Sequence, residues 1–357
     1  MQLSTIPISL AVAMAMLSPC AVAQSPDWGL SEGEMQITLL RDRNGDPLFI
    51  EYEKVGEHGI FQGDIVLGRH EDLQKALISG ILQLDGATFQ DALTKFPNLT
   101  EQLQSAEGIS VDFGLGVLPL AQRWPQRTVP YAIAPDLPPS LRSNVETAIA
   151  AWNNTGAVRL VPIGSLTNPS ALSRVGHIWI GPNDKPQVCQ SGLGRAENGQ
   201  TVIDLGAGCR LGNIIHELGH ALGLGHEQLR RDRENYMQVD LSNVTDLGKS
   251  QVDFCEWRNG GTLCEGIYLP LGSYDLCSIM HYGPQLPRTD RWLIDKNGSN
   301  VVFTLTDQGS AALQSCATQF NDTDCRKLGQ RCAVSQADIA ALEVLYRTTP
   351  WQLGLVE

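Results

Sequence analysis

The chain of 357 residues lacks an excess of positive charge, a low-complexity tract and an internal repeat. It has 26 Lys and Arg against 39 Asp and Glu, a formal net charge of −13. Basic surfaces bind phosphate groups, so this balance argues against nucleic acid as a partner. The apolar content of 42% is that of a globular protein, and the length allows one large domain or two of ordinary size.

Long apolar runs are also absent, except at the N-terminus, where one extends from about Ile6 to Leu17. This run is too short for a membrane anchor. It is followed by Ala21-Val22-Ala23, small residues at the spacing of a signal-peptidase site. We therefore expect residues 1–23 to be a signal peptide. The mature protein is expected to be soluble, without a membrane span, and secreted into the extracellular space or the periplasm.

Cysteine is absent between residues 24 and 188, and no two cysteines stand at C-x-x-C spacing. The missing C-x-x-C pairs argue against a zinc cluster of thiolates. Of nine cysteines, Cys20 lies in the expected signal peptide. An even number remains, which in an exported protein indicates disulfides. These eight are Cys189, Cys209, Cys255, Cys264, Cys277, Cys316, Cys325 and Cys332.

Charge and periodicity divide the chain near residues 110–120. Residues 24–117, called the N-terminal segment below, hold 16 acidic and 6 basic residues, a net charge of −10. Within them, residues 34–67 have a strand-like pattern and residues 70–106 a helical one. Beyond them the patterns predict strands at Thr128–Ala134, Val158–Pro162 and His177–Ile180, and a helix that opens near Pro139 and closes at Gly156. A last helix is predicted at 335–347, with Ser335 and Asp338 at capping-box spacing.

Histidine is scarce, yet three of the seven histidines fall within eleven residues of the stretch HELGHALGLGHEQLRRDRENY. His216 and His220 are four residues apart, so both lie on one face of a helix expected over residues 213–222. Gly223 can take a left-handed conformation, end that helix and bring His226 back toward the other two. Three neutral imidazoles leave a fourth ligand position open, which is the catalytic arrangement for zinc.

Glu217 lies at the edge of the same helix face, where its carboxylate can reach a water at the fourth position rather than the metal itself. An H-E-x-x-H match alone arises by chance fairly often. Here the third histidine and the glycine also stand at the required offsets, and this argues against a helix that is histidine-rich for structural reasons alone.

The residues after His226 extend the pattern to H-E-x-x-H-x-x-G-x-x-H-E-x-x-R-x-D-R, with Glu227, Arg230, Asp232 and Arg233 at its last fixed positions. This pattern resembles the signature of the astacin family of metzincin metallopeptidases. Downstream, the stretch SIMHY at residues 278–282 resembles the Met-turn of that family. The resemblance extends over about residues 118–347.

The resemblance implies roles for further residues. Met280 would form an apolar floor beneath one zinc ion per chain, and Tyr282 would be a fifth ligand able to swing away and donate a hydrogen bond to the transition-state oxyanion. It also implies a disulfide between Cys189 and Cys209. The family's other common disulfide begins at the position occupied here by Ala157, so the remaining six cysteines must pair differently. A short loop closed by Cys255–Cys264 is plausible, with Cys277, Cys316, Cys325 and Cys332 forming two more bonds, but six cysteines allow fifteen pairings.

Phe61, Gly63 and Asp64 belong to a second motif, which by itself is a strand with a Gly-Asp turn. It resembles the F-x-G-D motif of the astacin prosegment, whose aspartate takes the place of water at the zinc. The resemblance therefore implies that the N-terminal segment is an inhibitory propeptide, acting as an intramolecular inhibitor, and that Asp64 is its metal ligand.

Together these observations predict an α+β fold. A metzincin-like catalytic domain at 118–357 would have a mixed twisted sheet, an active-site helix and a loop-rich, disulfide-bonded C-terminal subdomain, preceded by the propeptide at 24–117. The expected activity is hydrolysis of internal peptide bonds in proteins or peptides, with Glu217 as general base. Two alternatives are a binding protein that keeps zinc without chemistry and a zinc hydrolase of esters or sugars. Casein cleavage that a chelator blocks would separate the three.

The mature N-terminus provides a test. In the family the new terminal amine folds inward toward the glutamate after the third histidine, here Glu227, which places the cut within roughly residues 110–120. Between Lys95 and Arg123 there is no Lys or Arg. We therefore expect activation by autolysis or by a protease without trypsin-like specificity, as N-terminal sequencing of the mature protein would reveal. A mature chain beginning directly after Lys95 or Arg123 would contradict this expectation.

Overall fold

The computed structural model describes eleven strands and six α-helices in parts of the chain from residue 34 to residue 347. The described residues are 34–41, 47–81, 92, 95, 96, 99, 102, 124, 127–166, 176–196, 199–252 and 274–347. The strands are β1 (Glu34–Arg41), β2 (Pro47–Val55), β3 (His58–Phe61), β4 (Ile65–Arg69), β5 (Thr128–Ile133), β6 (Arg159–Pro162), β7 (His177–Pro182), β8 (Cys189–Gly192), β9 (Gln200–Leu205), β10 (Met237–Val239) and β11 (Phe303–Leu305). The helices are α1 (His70–Ile81), α2 (Pro139–Asn153), α3 (Leu211–Ala221), α4 (Asp246–Val252), α5 (Asp307–Gln319) and α6 (Gln336–Arg347). Short 3₁₀ turns occur at Ile163–Ser165, Glu227–Leu229, Arg231–Asn235 and Thr323–Arg326.

Nine of the described strands form one mixed sheet in the order β1-β2-β3-β4-β8-β9-β7-β5-β6. Strands β1 to β4 are joined by antiparallel pairing, and β4 pairs in parallel with β8. Strands β9, β7, β5 and β6 are parallel to one another, whereas β8 runs antiparallel to β9. The sequence divides the chain near residues 110–120, but the strands of the N-terminal segment continue the same sheet as those that follow.

The N-terminal segment contributes two apolar clusters. One is built between β1 and the helical residues that cover it, from Ile37, Leu39, Leu77, Ala92, Phe96 and Leu99. The other includes one side chain from the rest of the protein and consists of Leu40, Leu48, Ile50, Phe61, Ile65 and Leu229. Each such side chain contributes about 1.5–3 kcal/mol when it is fully buried. The segment therefore has apolar packing of its own and also a hydrophobic contact with the remainder of the chain.

Helix α2 packs against the main core through a stripe of apolar residues at helical spacing. Its buried side chains are Leu141, Val145, Ala148, Ile149 and Trp152. Trp152 also donates a hydrogen bond from Nε1 to the carbonyl of Ile215 in α3, at 2.9 Å. This pairing of apolar packing with one indole hydrogen bond fixes α3 beneath α2.

Helix α3 carries the first two histidines of the motif and is buried on all sides from Gly212 to Ala221. It begins at Leu211, two residues before the predicted start, because the Asn213 side chain accepts a hydrogen bond from the Arg210 backbone N–H at 2.8 Å. Asn213 is thus part of the helix N-terminal cap rather than its first residue. At the other end, Trp124 Nε1 donates to the Ala221 carbonyl at 2.8 Å.

The C-terminal part of the protein is tied together by predicted and unpredicted contacts. The capping box of α6 is confirmed, since the Asp338 N–H donates to Ser335 Oγ and the Ser335 N–H donates to Asp338 Oδ2, each at 3.0 Å. A disulfide joins Cys277 to Cys316.

The suggested Cys255–Cys264 pair lies outside the described residues, as do the expected signal peptide and activation site. Among the helices of the described residues, none is long and apolar enough to cross a membrane.

Gly212 lies in a helix, yet we predict that its replacement by a larger residue lowers the stability of the protein. A Cβ at this position would collide with the backbone carbonyl of Arg331. Alanine in a helix gains about 1 kcal/mol over glycine in intrinsic propensity, whereas overpacking costs about 1–3 kcal/mol. Because the clash is with a backbone atom, we expect a cost in the upper part of that range, so the collision wins. We expect Gly212→Ala to lower the free energy of unfolding by about 1–2 kcal/mol, measured by denaturant titration.

Gly164→Ala is the matched control, because a Cβ there meets no atom within 4 Å. It should leave stability unchanged or raise it by about 0.4–1 kcal/mol. Equal stabilities for the two variants would show that the segment at Arg331 can move away from the helix.

Candidate metal centre

The first two histidines lie on adjacent turns of α3 with their ring centroids 4.7 Å apart. Each ring is oriented through its Nδ1 atom. His216 Nδ1 is 2.8 Å from the carbonyl oxygen of Ile279, and His220 Nδ1 is 2.8 Å from that of Leu224. Carbonyl oxygens accept but do not donate, so each Nδ1 carries the proton and each Nε2 carries a lone pair.

The third histidine is brought in by a left-handed turn after α3. Gly223 has φ +102°, and its N–H donates to the carbonyl of His220 at 2.8 Å. The chain then reverses so that His226 Nε2 lies 3.1 Å from His220 Nε2. His226 Nδ1 faces the side-chain oxygen of Gln62 at 3.4 Å. The third imidazole is therefore oriented in the same way as the other two, with Nδ1 toward an oxygen and Nε2 toward the centre.

Asp64 reaches the same point from the tight turn between β3 and β4. The turn contains two successive left-handed residues, Gln62 with φ +53° and Gly63 with φ +86°. Asp64 Oδ2 lies 3.2 Å from His216 Nε2, 3.6 Å from His220 Nε2 and 3.0 Å from His226 Nε2. All four side chains are buried, and their ligand atoms lie within 4.8 Å of one another.

The donor set fits a divalent cation. Three imidazole lone pairs and a carboxylate oxygen point at one another, and such atoms repel unless a cation lies among them. Asp64 Oδ1 is also buried and has no hydrogen-bond partner among the described residues. Three histidine nitrogens with one carboxylate oxygen are ligands that suit zinc.

The charges of these groups agree with that assignment. Burial lowers the pKa of His226 to about 4, against the opposing charge of Asp64. Burial likewise holds the pKa of His216 well below its ordinary value. Burial opposes ionisation of Asp64, but the facing histidines hold the pKa of its carboxyl well below its usual range. Neutral imidazoles beside an ionised carboxylate form the protonation state that metal binding requires.

Tyr282 contacts the group of potential metal ligands, and Met280 packs under α3. The Tyr282 hydroxyl donates to Asp64 Oδ2 at 3.0 Å and lies 3.1 Å from the Gln62 carbonyl. Burial, and then the charge of Asp64, raise the pKa of this phenol well above its ordinary value, so it stays protonated. A Cβ at Gly219 would overlap the Met280 sulfur, so Met280 packs directly against the helix between the two histidines.

Glu217 follows His216 in α3, and its side chain is fully buried. Its charge adds a smaller contribution to the raised pKa of Tyr282. The structure thus brings Glu217, Tyr282 and the four potential metal ligands into one buried site. Such a group contains an acid or base, a hydrogen-bond donor and a metal position.

Glu227 lies beside the Met-turn, in the wall of a small recess that Arg230, Asp275 and Asp338 also line. Its Oε1 accepts a hydrogen bond from the Asp275 N–H at 2.8 Å. Burial raises the pKa of Glu227 to about 8, although Arg230 and the Asp275 N–H lower it. The recess is thus rich in carboxyl groups, with a single guanidinium beside them.

The cysteine pair implied by the family resemblance is present, since Cys189 and Cys209 form a disulfide. This bond ties the start of β8 to the loop just before α3. Sequence reasoning missed Gln62, whose side-chain oxygen faces His226, because only Phe61, Gly63 and Asp64 belong to the motif. The backbone acceptors Ile279 and Leu224 were also missed, because a carbonyl group leaves no trace in the sequence.

Comparison with known proteins matches the chain to a peptidase family. The model of the peptidase family described as Astacin matches residues 117–293. Blastula protease 10 of Paracentrotus lividus is 30% identical over 227 residues, which cover 63% of this chain and 32% of that protein. Zinc metalloproteinase nas-4 of Caenorhabditis elegans is 28% identical over 210 residues, 58% of each protein. The chain thus spans about one third to three fifths of the length of these relatives.

Among solved structures, high choriolytic enzyme 1, a hatching enzyme zinc-protease from the medaka fish Oryzias latipes, is similar with 26% sequence identity and a TM-score of 0.43. The similarity covers 62% of this chain and 89% of that one. The matched family region contains the three histidines, Glu217 and the whole Met-turn. Residues 117–293 of the chain belong to the astacin family.

Proposed function

We propose that the protein is a secreted zinc endopeptidase that is made as a zymogen and hydrolyses internal peptide bonds of proteins. The observation that carries the proposal is the convergence of three Nε2 lone pairs on one buried point, with every Nδ1 directed at an oxygen. Family membership supports the same reaction. The proposed units are a signal peptide at 1–23, a propeptide at 24–117 and a catalytic domain at 118–357.

The metal ligands would be His216, His220 and His226, with Tyr282 as a fifth. Zinc held there supplies a Lewis acid that polarises the scissile carbonyl and makes water more acidic. Glu217 accepts a proton from the attacking water and returns it to the nitrogen of the leaving amine, as general base and then general acid. Its burial in α3, one residue after His216, supports this role.

Tyr282 stabilises the charge that develops on the carbonyl oxygen of the substrate. Its phenol is protonated and therefore able to donate a hydrogen bond. In the proposed zymogen this hydrogen bond is given to Asp64 instead. Release of Asp64 would free both the water position and the phenol.

Latency rests on the N-terminal segment as a whole. Strand β4 pairs in parallel with β8, and the Ser191 N–H donates to the Asp64 carbonyl at 2.8 Å. An ion pair between Glu53 of β2 and Arg291 adds a contact away from the metal. These contacts hold Asp64 against the histidines and cover the β8 edge of the sheet.

Activation would also use the recess at Glu227. In the astacin family the new terminal amine turns inward toward this glutamate. The carboxyl groups of Asp275 and Asp338 line the same recess and suit a buried ammonium group. The terminus generated by cleavage near residues 110–120 would then stabilise the loop that begins at His226.

Replacement of the proposed base tests the reaction. We expect Glu217→Ala to lower casein cleavage by the mature enzyme by about 10²–10⁴-fold, since general acid–base catalysis contributes that much. One zinc per chain should remain bound, because Glu217 is not a ligand, and metal analysis checks this. Glu146→Ala, on the exposed face of α2, is the control and should keep both activity and zinc. Full activity of Glu217→Ala would refute the assignment.

Replacement of Asp64 tests latency in the full-length protein. The parent should bind one zinc and leave casein uncut, whereas Asp64→Ala should cleave casein while the N-terminal segment is still attached, as mass spectrometry at early times would establish. The reason is that removal of this carboxylate vacates the water position. Asp72→Ala, an exposed acidic residue of α1, should stay silent.

Two outcomes would count against the proposal. A parent as active as the Asp64→Ala variant would exclude the latch. Bound zinc without cleavage of casein in any form, even after removal of the N-terminal segment, would favour a binding protein over an enzyme.

A further inference from the structure

Side chains of the C-terminal region bind both the backbone N–H and the backbone carbonyl of Ile279. Its N–H donates to Asp338 Oδ2 at 3.0 Å. Its carbonyl oxygen accepts two hydrogen bonds, from His216 Nδ1 at 2.8 Å and from the Arg331 guanidinium Nη1 at 3.0 Å. The carbonyl that orients the first histidine is therefore itself fixed by a charged side chain.

The same guanidinium nitrogen reaches beyond Ile279. Arg331 Nη1 lies 3.0 Å from the carbonyl oxygen of His281, the residue before Tyr282. It thus bridges the two backbone carbonyls that flank Met280. A guanidinium is planar and always charged, which suits it to holding two oxygens at a set separation.

The backbone around Arg331 is itself held by close packing and by a hydrogen bond from the neighbouring residue. Its carbonyl packs against Gly212 in the first turn of α3, where no Cβ could fit. The adjacent Gln330 donates from Nε2 to the carbonyl of Cys277 at 2.9 Å. Arg331 therefore touches both structural elements that carry site residues, the helix and the Met-turn.

We propose that Arg331 is a positioning residue for the metal centre. By fixing the Ile279 and His281 carbonyls, it orients the His216 ring and sets the place of Tyr282. Arg331 lies beyond residue 293, where the family match ends, and it acts on the ligand side chains through these backbone carbonyls. The inference rests on the zinc site proposed above.

The test compares Arg331→Met and Arg331→Lys with a matched control in the full-length protein. Arg326 provides the control, because its guanidinium also binds two backbone carbonyls, those of Phe320 and Asn321, at 2.9 and 3.1 Å. The measurements are the zinc dissociation constant by competition with a chelator, the visible absorption of the cobalt(II)-substituted protein, and the midpoint of thermal unfolding.

We expect Arg331→Met to weaken zinc binding by about 10–100-fold, as loss of a residue behind a metal ligand typically does, and to change the cobalt absorption bands. Arg331→Lys should recover part of the affinity, since it keeps the charge but not the planar pair of donors. Arg326→Met should match the parent in affinity and spectrum, whatever its unfolding midpoint.

The inference is overturned if Arg331→Met, or Arg331→Lys where the methionine variant does not fold, binds zinc with the affinity and spectrum of the parent. It is also overturned if Arg326→Met weakens zinc binding equally, because the effect would then be general destabilisation. If zinc binding by the Arg331 variants is unchanged and the mature unsubstituted protein cleaves casein, the proposed function stands and only this inference is lost. A parent that binds no zinc would overturn the proposed function and this inference with it.

Discussion

Three imidazole nitrogens and one carboxylate oxygen meet in the interior, and the surrounding structure is arranged to hold them there. Each Nδ1 faces an oxygen acceptor, which leaves each Nε2 with a lone pair directed inward. Such a convergence is unfavourable without a cation and binds one strongly when it is supplied. The geometry therefore demands both a metal and a rigid backing for every ligand.

The rigid backing comes from three separate parts of the chain. Helix α3 is buried on all sides and is tied to α2 by the Trp152 indole. The loop after Gly223 supplies the acceptor for His220, and the Met-turn supplies that for His216. The capping box of α6 adds a further link, because Asp338 binds both its own helix start and the Ile279 N–H. A cap that would otherwise serve one helix also secures the segment beneath the metal position.

Local features of the site were predictable from sequence and tertiary ones were not. The spacing of His216, His220 and Gly223 predicts a helix, its end and a returning loop, because helical period and left-handed turns are local properties. Most helix and strand positions were predictable for the same reason, because the periodicity of apolar residues is also a local property. The carbonyls that orient the rings could not be predicted, since every residue carries one and only the fold selects which faces an imidazole. Asp64 is separated from His216 by 152 residues, so only family resemblance linked them. The parallel pairing of β4 with β8, which unites the two parts of the sheet, had no sequence signal.

In the proposed zymogen, the strength of the latch depends on how Asp64 is presented. A ligand on a short flexible tether has an effective concentration on the order of mM. Asp64 instead sits on a turn fixed by two left-handed residues, between strands of a sheet shared with β8. The conformational entropy of this turn is already lost when the N-terminal segment folds around its own core. Little further entropy is therefore lost when the carboxylate meets the metal. Leu229 in the second cluster adds an apolar contact between the segment and the loop after His226. Inhibition of this kind depends on the folded segment as well as on the aspartate, because the segment holds the carboxylate at the metal position. In the natural chain relief would come with removal of the segment, and in the Asp64→Ala variant with loss of the carboxylate.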